Sequence, residues 1–242
     1  MVAFVGKLGA GKNYCAMKQI DELKDTGHTI YMISFADPIK QLLKNSFGLT
    51  KAGKIDVKLP EFTEIYCKGQ IVDSLYNLIK PLNYEKFDIS ESDTKAYISR
   101  NYEKYEDDFY KFVKNASNNV EYSLSFRRLG QLLGTELGRY LIDSIWVDIA
   151  LDKVKKVFKA DLADYAYILD CRFINEYNML EEFRSKTAFD SIVYGVSTTD
   201  ETRAIRRGMT IEELIKQDMH GSEKEVDHIL SIIPKELVIQ ND

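Results

Sequence analysis

The chain has 242 residues, and its 33 Lys and Arg against 38 Asp and Glu give a formal net charge of −5. Because neutralising a phosphate backbone requires an excess of basic residues, a nucleic-acid polymer is not expected as a partner. Apolar residues make up 45% of the chain. Since no apolar run approaches the roughly 20 residues of a membrane-spanning helix, we expect a soluble cytoplasmic protein without membrane association.

The N-terminal residues predict parallel βαβ units. Val2–Val5 is a continuous apolar run, typical of a strand buried on both faces, and a helical pattern begins at Lys12. Residues 30–35 form a second apolar run, and Asp37 and Pro38 after them are typical of the N-cap and first residue of a helix. Strands and helices that alternate at these lengths favour a parallel sheet.

Residues 48–125 differ in composition, being rich in Tyr and charged residues with few signals of buried strands. Within them, apolar and aromatic residues recur at alternating spacings of four and three, which predicts an amphipathic helix. These residues are Ile98, Tyr102, Tyr105, Phe109 and Phe112. We interpret 48–125 as a mostly helical insertion, with a loop at 54–64, in a single domain that spans 1–242.

The C-terminal half continues the α/β pattern. Amphipathic spacing predicts helices at 129–142, 145–158, 176–184 and 210–218. Short apolar runs predict a third strand at 165–169, a fourth at 191–196 and a last short strand at 229–233. No linker rich in Pro, Gly or Ser divides the chain, which favours one α/β domain.

Residues 6–12 read Gly-Lys-Leu-Gly-Ala-Gly-Lys and match the pattern G-x-x-x-x-G-K between a strand and a helix. Glycines permit positive φ and close approach, so backbone N–H groups can surround a phosphate, and Lys12 adds a positive charge. Asn13 stands where Ser or Thr is usual and offers no hydroxyl to Mg²⁺. The predicted phosphate-binding residues are Gly6, Leu8, Gly9, Ala10, Gly11, Lys12, Asn13 and Tyr14. The alternative is a glycine-rich turn without a ligand.

Polar residues also follow the second and third predicted strands, where βαβ folds place ligand groups. Asp37 comes just after the second strand, and Lys40 lies on the same side of the next helix. Asp170 ends the third strand, where a carboxylate can bind Mg²⁺ directly or through water. Arg172 and Glu176 are four residues apart and could pair across one helical turn. The alternatives are a helix cap with a solvated lysine, and a structural salt bridge.

A glycine-rich predicted helix carries a second polar cluster. Arg128, Gln131, Thr135 and Arg139 repeat at helical spacing, so two guanidiniums, an amide and a hydroxyl share one face. That combination suits a phosphate and the edge of a base. Each glycine costs a helix roughly 1 kcal/mol relative to Ala, which suggests that another group approaches the backbone there. An ordinary surface helix is the alternative.

Three arginines follow the fourth predicted strand, within 199–209: Arg203, Arg206 and Arg207. Arginines beside a glycine hinge, here Gly208, suit a lid-like segment that closes and stabilises charge on a transferring phosphoryl group. A solvated basic face is the alternative.

The order of these motifs resembles the deoxynucleoside monophosphate kinases of tailed bacteriophages. The resemblance rests on the phosphate loop, on Phe-Ala-Asp-Pro-Ile-Lys at 35–40, on the patterns at 128–139 and 170–176, and on His220-x-Ser222-Glu223. It covers most of the chain except 48–125. It implies a P-loop NTPase-type, three-layer α/β/α fold with a parallel sheet, and transfer of the γ-phosphoryl group of ATP to a deoxynucleoside 5′-monophosphate with Mg²⁺.

The resemblance also implies roles for individual residues. It places around the substrate nucleotide Lys40, Arg128, Thr135, Trp146, Asp170, Arg172 and Glu176. Together with the residues derived above, the predicted substrate-binding set is Asp37, Ile39, Lys40, Arg128, Gln131, Gly134, Thr135, Glu136, Arg139, Trp146, Asp170, Arg172, Asn175 and Glu176. The predicted catalytic set is Lys12, Asp170, Arg172, Arg203, Arg206 and Arg207, with Asp170 as metal ligand, directly or through water. A nucleotide is the expected partner, a homodimer is compatible, and a phage-encoded enzyme would act in the host cytoplasm.

Two other functions fit the same motifs. One is a kinase of this fold that acts on another small phosphorylated acceptor, of the dephospho-coenzyme A or phosphomevalonate type. The other is a P-loop protein that binds nucleotide without catalysis, which the departure at Asn13 suggests.

Overall fold

A computed structural model of the protein describes residues 1–47, 64–82, 84, 90–105, 130, 132–219 and 221–242. The chain divides into two compact units: the first consists of Met1–Phe35 and Ala150–Asp242, and the second of Ala36–Ile149. Arg128, Gln131, His220 and nearly all of the predicted loop at 54–64 lie outside the described residues.

The first unit is built on a parallel sheet. Its strands are β1 Val2–Val5, β2 Ile30–Ile33, β3 Tyr165–Cys171, β4 Ile192–Ser197 and β5 Val238–Gln240. They lie in the order β2-β3-β1-β4-β5, and every neighbouring pair is parallel. All four residues of β1 are buried, as expected for a central strand covered on both faces. The predicted α/β fold with a parallel sheet is confirmed.

Helices occur in both units. In chain order they are α1 Lys12–Asp25, α2 Asp37–Phe47, α3 Glu64–Ile79, α4 Glu91–Tyr102, α5 Ile145–Lys159, α6 Ile174–Lys186, α7 Asp200–Arg207, α8 Ile211–Asp218 and α9 Gly221–Ile232. A π-helix covers Leu132–Arg139, and short 3₁₀ turns cover Lys80–Leu82, Glu103–Tyr105 and Lys235–Leu237.

The order of the strands decides where functional groups of the first unit can meet. Because β1 lies between β3 and β4, the residues that follow these three strands emerge at one edge of the sheet. On one face, Ala16 and Ile20 of α1 pack with Val2 and Phe4 of β1. This packing fixes the start of α1, and with it the loop between β1 and α1.

The predicted strand at 229–233 is wrong. Val226, Ile229 and Ile233 are buried at spacings of three and four, which is the pattern of a helical face, and α9 extends to Ile232. The last strand is instead Val238–Gln240, which pairs with β4. An apolar run of five residues is too short for its periodicity to distinguish a strand from the end of a helix.

The connection from β2 to α2 also differs from its prediction. β2 ends at Ile33, two residues early, and α2 begins at Asp37 itself. The carbonyl of Ala36 accepts the hydrogen bond of the Lys40 N–H at 3.0 Å, so Ala36 is the N-cap. Asp37 lies in the first turn, where a carboxylate is stabilised by the positive end of the helix dipole.

The second unit is a helical assembly around its own apolar core. Large buried side chains of α2, α3, α4, the π-helix and α5 meet there: Leu42, Ile71, Leu75, Ile98, Leu133, Leu137 and Trp146. Two elements of this assembly, α3 and α4, lie within residues 48–125, and the character of that segment as an insertion remains a prediction. Ile98 and Tyr102 are buried on α4, whereas Phe109 and Phe112 lie outside the described residues.

Glycines of the π-helix make room for neighbouring side chains. The indole N–H of Trp146 donates a 2.6 Å hydrogen bond to the Gly134 carbonyl, and a Cβ on Gly138 would collide with the Trp146 ring and with the Leu133 carbonyl. A Cβ on Gly134 would lie 2.7 Å from Ile39. The groups that approach this backbone are thus Trp146 and Ile39, and they explain why glycines occur in a helix despite their cost.

We predict that Gly138→Ala destabilises the protein by about 2 kcal/mol, because the added methyl group overpacks the contact with Trp146. Gly69→Ala on α3 is the matched control, since a Cβ there meets nothing within 4 Å, and it should stabilise by up to about 1 kcal/mol. Chemical denaturation followed by far-UV circular dichroism measures both. Equal stability of the two variants would contradict the packing of Trp146 described here.

Candidate active site

The loop between β1 and α1 has the conformation that the glycine pattern predicts. Gly9 and Gly11 have φ of 88° and 91°, a region that favours glycine. A Cβ on Gly6 would lie 2.5 Å from the Val196 carbonyl oxygen of β4, so the loop also passes very close to the sheet. Gly11 is the N-cap of α1, and the first N–H groups of that helix are therefore available to an anion.

Lys12 is folded back over this loop and is buried. Its Nζ donates hydrogen bonds to the carbonyl oxygens of Gly6 and, at 3.2 Å, of Lys7. Burial, and next the positive charge of Arg172, lower the pKa of the Lys12 ammonium to about 8, while Glu223 and a second nearby carboxylate oppose this shift. The oxygens of a phosphate would be stronger partners for this ammonium than two neutral carbonyls.

Asp170 ties the end of β3 to the end of β2. Its carboxylate accepts a hydrogen bond from the Ser34 hydroxyl and one of 2.9 Å from the Phe35 N–H. These contacts explain why β2 ends before Ser34, since the chain turns there toward the carboxylate. The negative charge of Asp170 also partly offsets the lowering of the Lys12 pKa. Asp170 therefore lies close to the phosphate loop.

Arg172 and Glu176 both lie near the start of α6, in different roles. The Glu176 carboxylate accepts hydrogen bonds from the backbone N–H groups of Arg172 (2.7 Å) and Phe173 (3.1 Å), which caps the helix. The Arg172 guanidinium pairs with Glu223 of α9 at 2.8 Å. The sequence suggested a pairing of Arg172 with Glu176 across one turn; the contact between them is made by the backbone N–H of Arg172, and the guanidinium pairs with Glu223. Asn175 follows on the first turn of α6.

Arg203 of α7 is almost completely buried, with 1% of its surface exposed. Its guanidinium makes two hydrogen bonds of 2.7 Å to the Asp218 carboxylate and one of 2.8 Å to Asp200. Its Nε donates to the Leu8 carbonyl of the phosphate loop at 3.0 Å. Arg203 therefore anchors α7 to the loop, and its catalytic role remains a prediction.

Arg206 and Arg207 lie beside the same loop. The Arg206 guanidinium is 3.4 Å from the Ala10 carbonyl, and the aliphatic part of Arg207 lies within 3.4 Å of the position that a Cβ on Gly9 would take. The Nε of Arg207 is buried and has no hydrogen-bond partner. A buried donor without a partner is costly, which is consistent with a ligand oxygen at this position.

The predicted substrate residues of the second unit lie on α2, the π-helix and α5. Lys40 pairs with Asp37 at 2.8 Å on the surface. Thr135 is exposed, and Glu136 and Arg139 are half-buried. Trp146 is fully buried and contacts the π-helix, which makes it a support for that helix. The roles of these side chains toward a substrate remain predictions.

Several residues that hold the phosphate loop were not predicted. Glu223 accepts a hydrogen bond from the Leu8 N–H at 3.1 Å, and Asn241 donates one of 2.8 Å to the Ala10 carbonyl. Asp218 binds Arg203 and lies 3.4 Å from Lys7. Glu223 belongs to the pattern His220-x-Ser222-Glu223 on which the family resemblance partly rests, but no role was predicted for it. Asp218 and Asn241 carry no local signal, because their importance arises only from tertiary contacts.

Comparison with known proteins agrees with this geometry. A family model described as deoxynucleotide monophosphate kinase matches residues 1–242. The chain belongs to this family. It is also 29% identical over 220 residues to the deoxynucleoside-5′-monophosphate kinase of Escherichia phage T5, an alignment that covers 85% of this chain and 81% of that relative. The resemblance carried by the ordered motifs is thereby confirmed.

Within the described residues, no group of three His, Cys, Asp or Glu side chains is placed to hold a metal ion. Asn13 and Tyr14 are both exposed at the start of α1.

Among the helices that the structure describes, none is both long and apolar enough to cross a membrane.

We predict that Asp218→Asn destabilises the kinase by about 2 kcal/mol, because it weakens two charge-assisted hydrogen bonds to a buried guanidinium. Asp200→Asn is the control, since the Asp200 side chain is 52% exposed and its pairing should contribute less than about 0.5 kcal/mol. Thermal unfolding at pH 7 compares the two variants. Similar losses in both would contradict an anchoring role specific to the pair of Arg203 and Asp218.

Proposed function

We propose that this protein transfers the γ-phosphoryl group of ATP to a deoxynucleoside 5′-monophosphate, which gives ADP and the deoxynucleoside diphosphate. The observation that best supports this proposal is the concentration of positively charged side chains around the phosphate loop. The pKa of Lys12 is lowered to about 8 by burial and by Arg172, and the Arg207 Nε nearby is buried without a partner. Such a site favours a polyanion, which supports ATP as the phosphoryl donor in our proposal.

Phosphoryl transfer needs positioning and charge neutralisation more than covalent chemistry. In our proposal the loop N–H groups and Lys12 hold the ATP phosphates, and Lys12 exchanges its contacts with the Gly6 and Lys7 carbonyls for phosphate oxygens. Arg172 holds the phosphate of the acceptor. Arg207 neutralises charge on the transferring group and helps to exclude water, which suppresses hydrolysis of ATP.

The Mg²⁺ that such a reaction requires fits a site with few protein ligands. Mg²⁺ usually keeps several waters and binds through one or two carboxylates together with substrate phosphates. Asp170, which lies near Lys12, is the carboxylate that we propose to face the ion through water. When bound, the ion neutralises charge on the nucleotide phosphates.

The proposed reaction is tested by ADP formation from Mg·ATP with dAMP, dGMP, dCMP, dTMP and the matching ribonucleotides. We expect turnover with at least one deoxynucleotide, and lower kcat/KM with its ribonucleotide. Dephospho-coenzyme A and phosphomevalonate are included as acceptors outside the family. Turnover confined to one of these, or ATP binding without any turnover, would contradict the proposal and support one of the two alternative functions.

We predict that ATP binding takes up a proton in weakly alkaline solution. Because the pKa of Lys12 is about 8 in the free protein and a bound polyphosphate favours the charged form, uptake should be about half a proton at pH 8 and close to one at pH 9. Affinity for ATP should then fall as pH rises, by roughly tenfold per unit above pH 8.

Isothermal titration calorimetry in buffers of different ionisation enthalpy measures this uptake between pH 7 and pH 9. Lys18→Ala, which removes an exposed lysine of α1, should leave the uptake unchanged, and Lys12→Ala should abolish it together with most of the affinity. Uptake that persists without Lys12 would show that another group titrates.

A further inference from the structure

Glu223 joins two parts of the site that are far apart along the chain. It lies in the first turn of α9, and only 4% of its surface is exposed. Its two carboxylate oxygens have different partners. Oε2 accepts a hydrogen bond from the Leu8 N–H of the phosphate loop at 3.1 Å, and Oε1 accepts one from Nη1 of Arg172 at 2.8 Å.

The two partners of Glu223 differ in how freely they can move. Leu8 contributes a backbone N–H, which has no side-chain rotamers and lies in a loop that Arg203 also holds through the Leu8 carbonyl. Arg172 contributes a long side chain that is 27% exposed, and such a side chain loses considerable rotamer entropy when it is held in one place. A buried carboxylate with a charge-assisted hydrogen bond can supply that restraint. The carboxylate thus sets the position of a flexible cation relative to the backbone of the phosphate loop.

We propose that Glu223 is a positioning residue, which holds the Arg172 guanidinium at a fixed place beside the phosphate loop so that the acceptor phosphate is aligned with the ATP phosphates. This inference rests on the proposed function, in which Arg172 binds the acceptor. Glu223 itself touches neither nucleotide, and it acts through Arg172.

A neighbouring carboxylate on the same helix provides a matched comparison. Glu225 accepts a hydrogen bond from the Ile174 N–H at 2.8 Å, which helps to cap α6. Glu225→Gln keeps an oxygen for that N–H. Loss of one negative charge from α9 is thus common to Glu223→Gln and Glu225→Gln, whereas loss of the partner of Arg172 is confined to the first.

The effect of Glu223→Gln should be selective between the two nucleotides. The amide oxygen of Gln is expected to accept from the Leu8 N–H, because that backbone group cannot reorient toward water. The Arg172 guanidinium, on a side chain that is 27% exposed, can reorient and be hydrated. Arg172 then faces the amide NH₂ group and loses its restraint. We expect an acceptor Kd about tenfold higher and a smaller rise in the ATP Kd, because the charge of Glu223 also favours the charged form of Lys12. Glu223→Ala removes both contacts and should weaken binding of both nucleotides.

The test measures the acceptor and ATP Kd by calorimetry, which needs no turnover, and kcat and KM in the same samples. The acceptor is the deoxynucleoside monophosphate that the unmodified protein phosphorylates best. In an Arg172→Met background, Glu223→Gln should change the acceptor Kd less than twofold. This double variant also removes both charges, so it remains informative if the single variant fails to fold.

The outcomes separate this inference from the proposed function. An acceptor Kd that is unchanged or lower in Glu223→Gln, an equal rise in Glu225→Gln, or a further loss in the Arg172→Met background would overturn the positioning role, while turnover by the unmodified protein would still support the kinase. A lower Kd would show that Glu223 competes with the acceptor phosphate. Failure of the unmodified protein to bind any deoxynucleoside monophosphate would overturn both.

Discussion

The geometry of the phosphate site depends on one residue, Leu8, whose two backbone polar groups are both bound by buried charged side chains. Arg203 of α7 donates to its carbonyl, and Glu223 of α9 accepts from its N–H. Both charges have second partners, Asp218 for the arginine and Arg172 for the glutamate. Because the loop glycines permit many conformations, these two contacts select one of them and connect it to the elements that follow β3 and β4.

The same contacts explain how a cluster of positive charges can fold before any nucleotide binds. A buried charge is tolerated when it is paired and hydrogen-bonded. Arg203 and Arg172 each have a carboxylate partner, whereas the Lys12 ammonium donates its hydrogen bonds to the carbonyl oxygens of the loop. The lowered pKa of Lys12 follows from this arrangement, since burial is its largest cause. Lys12, at the start of α1, is therefore a buried positive charge held by neutral carbonyl oxygens, at the place where phosphate is expected.

How far the sequence predicts this site depends on the range of each interaction. The phosphate loop and Asp170 can be predicted because each belongs to a local sequence pattern. The loop is a glycine-rich stretch that follows a strand, and Asp170 is a carboxylate at the end of a strand. Arg203 was predicted from its neighbours Arg206 and Arg207 and could not be separated from them, because its partner Asp218 lies on another helix. The strand at Val238–Gln240 was missed for a similar reason: its three residues become a strand through pairing with β4, and a short run carries little signal of its own.

The anchoring of Arg203 also constrains how the predicted lid-like segment 199–209 could act. Movement of α7 away from the loop would break the contact of Arg203 with Leu8 and disturb its pairing with Asp218, and a buried guanidinium without partners is strongly unfavourable. Arg206 and Arg207 can change rotamer without that cost, since neither is paired with a carboxylate in the ion pairs described above. Closure over the phosphates by these two side chains, with α7 held against the loop, therefore requires less free energy than closure by the whole helix.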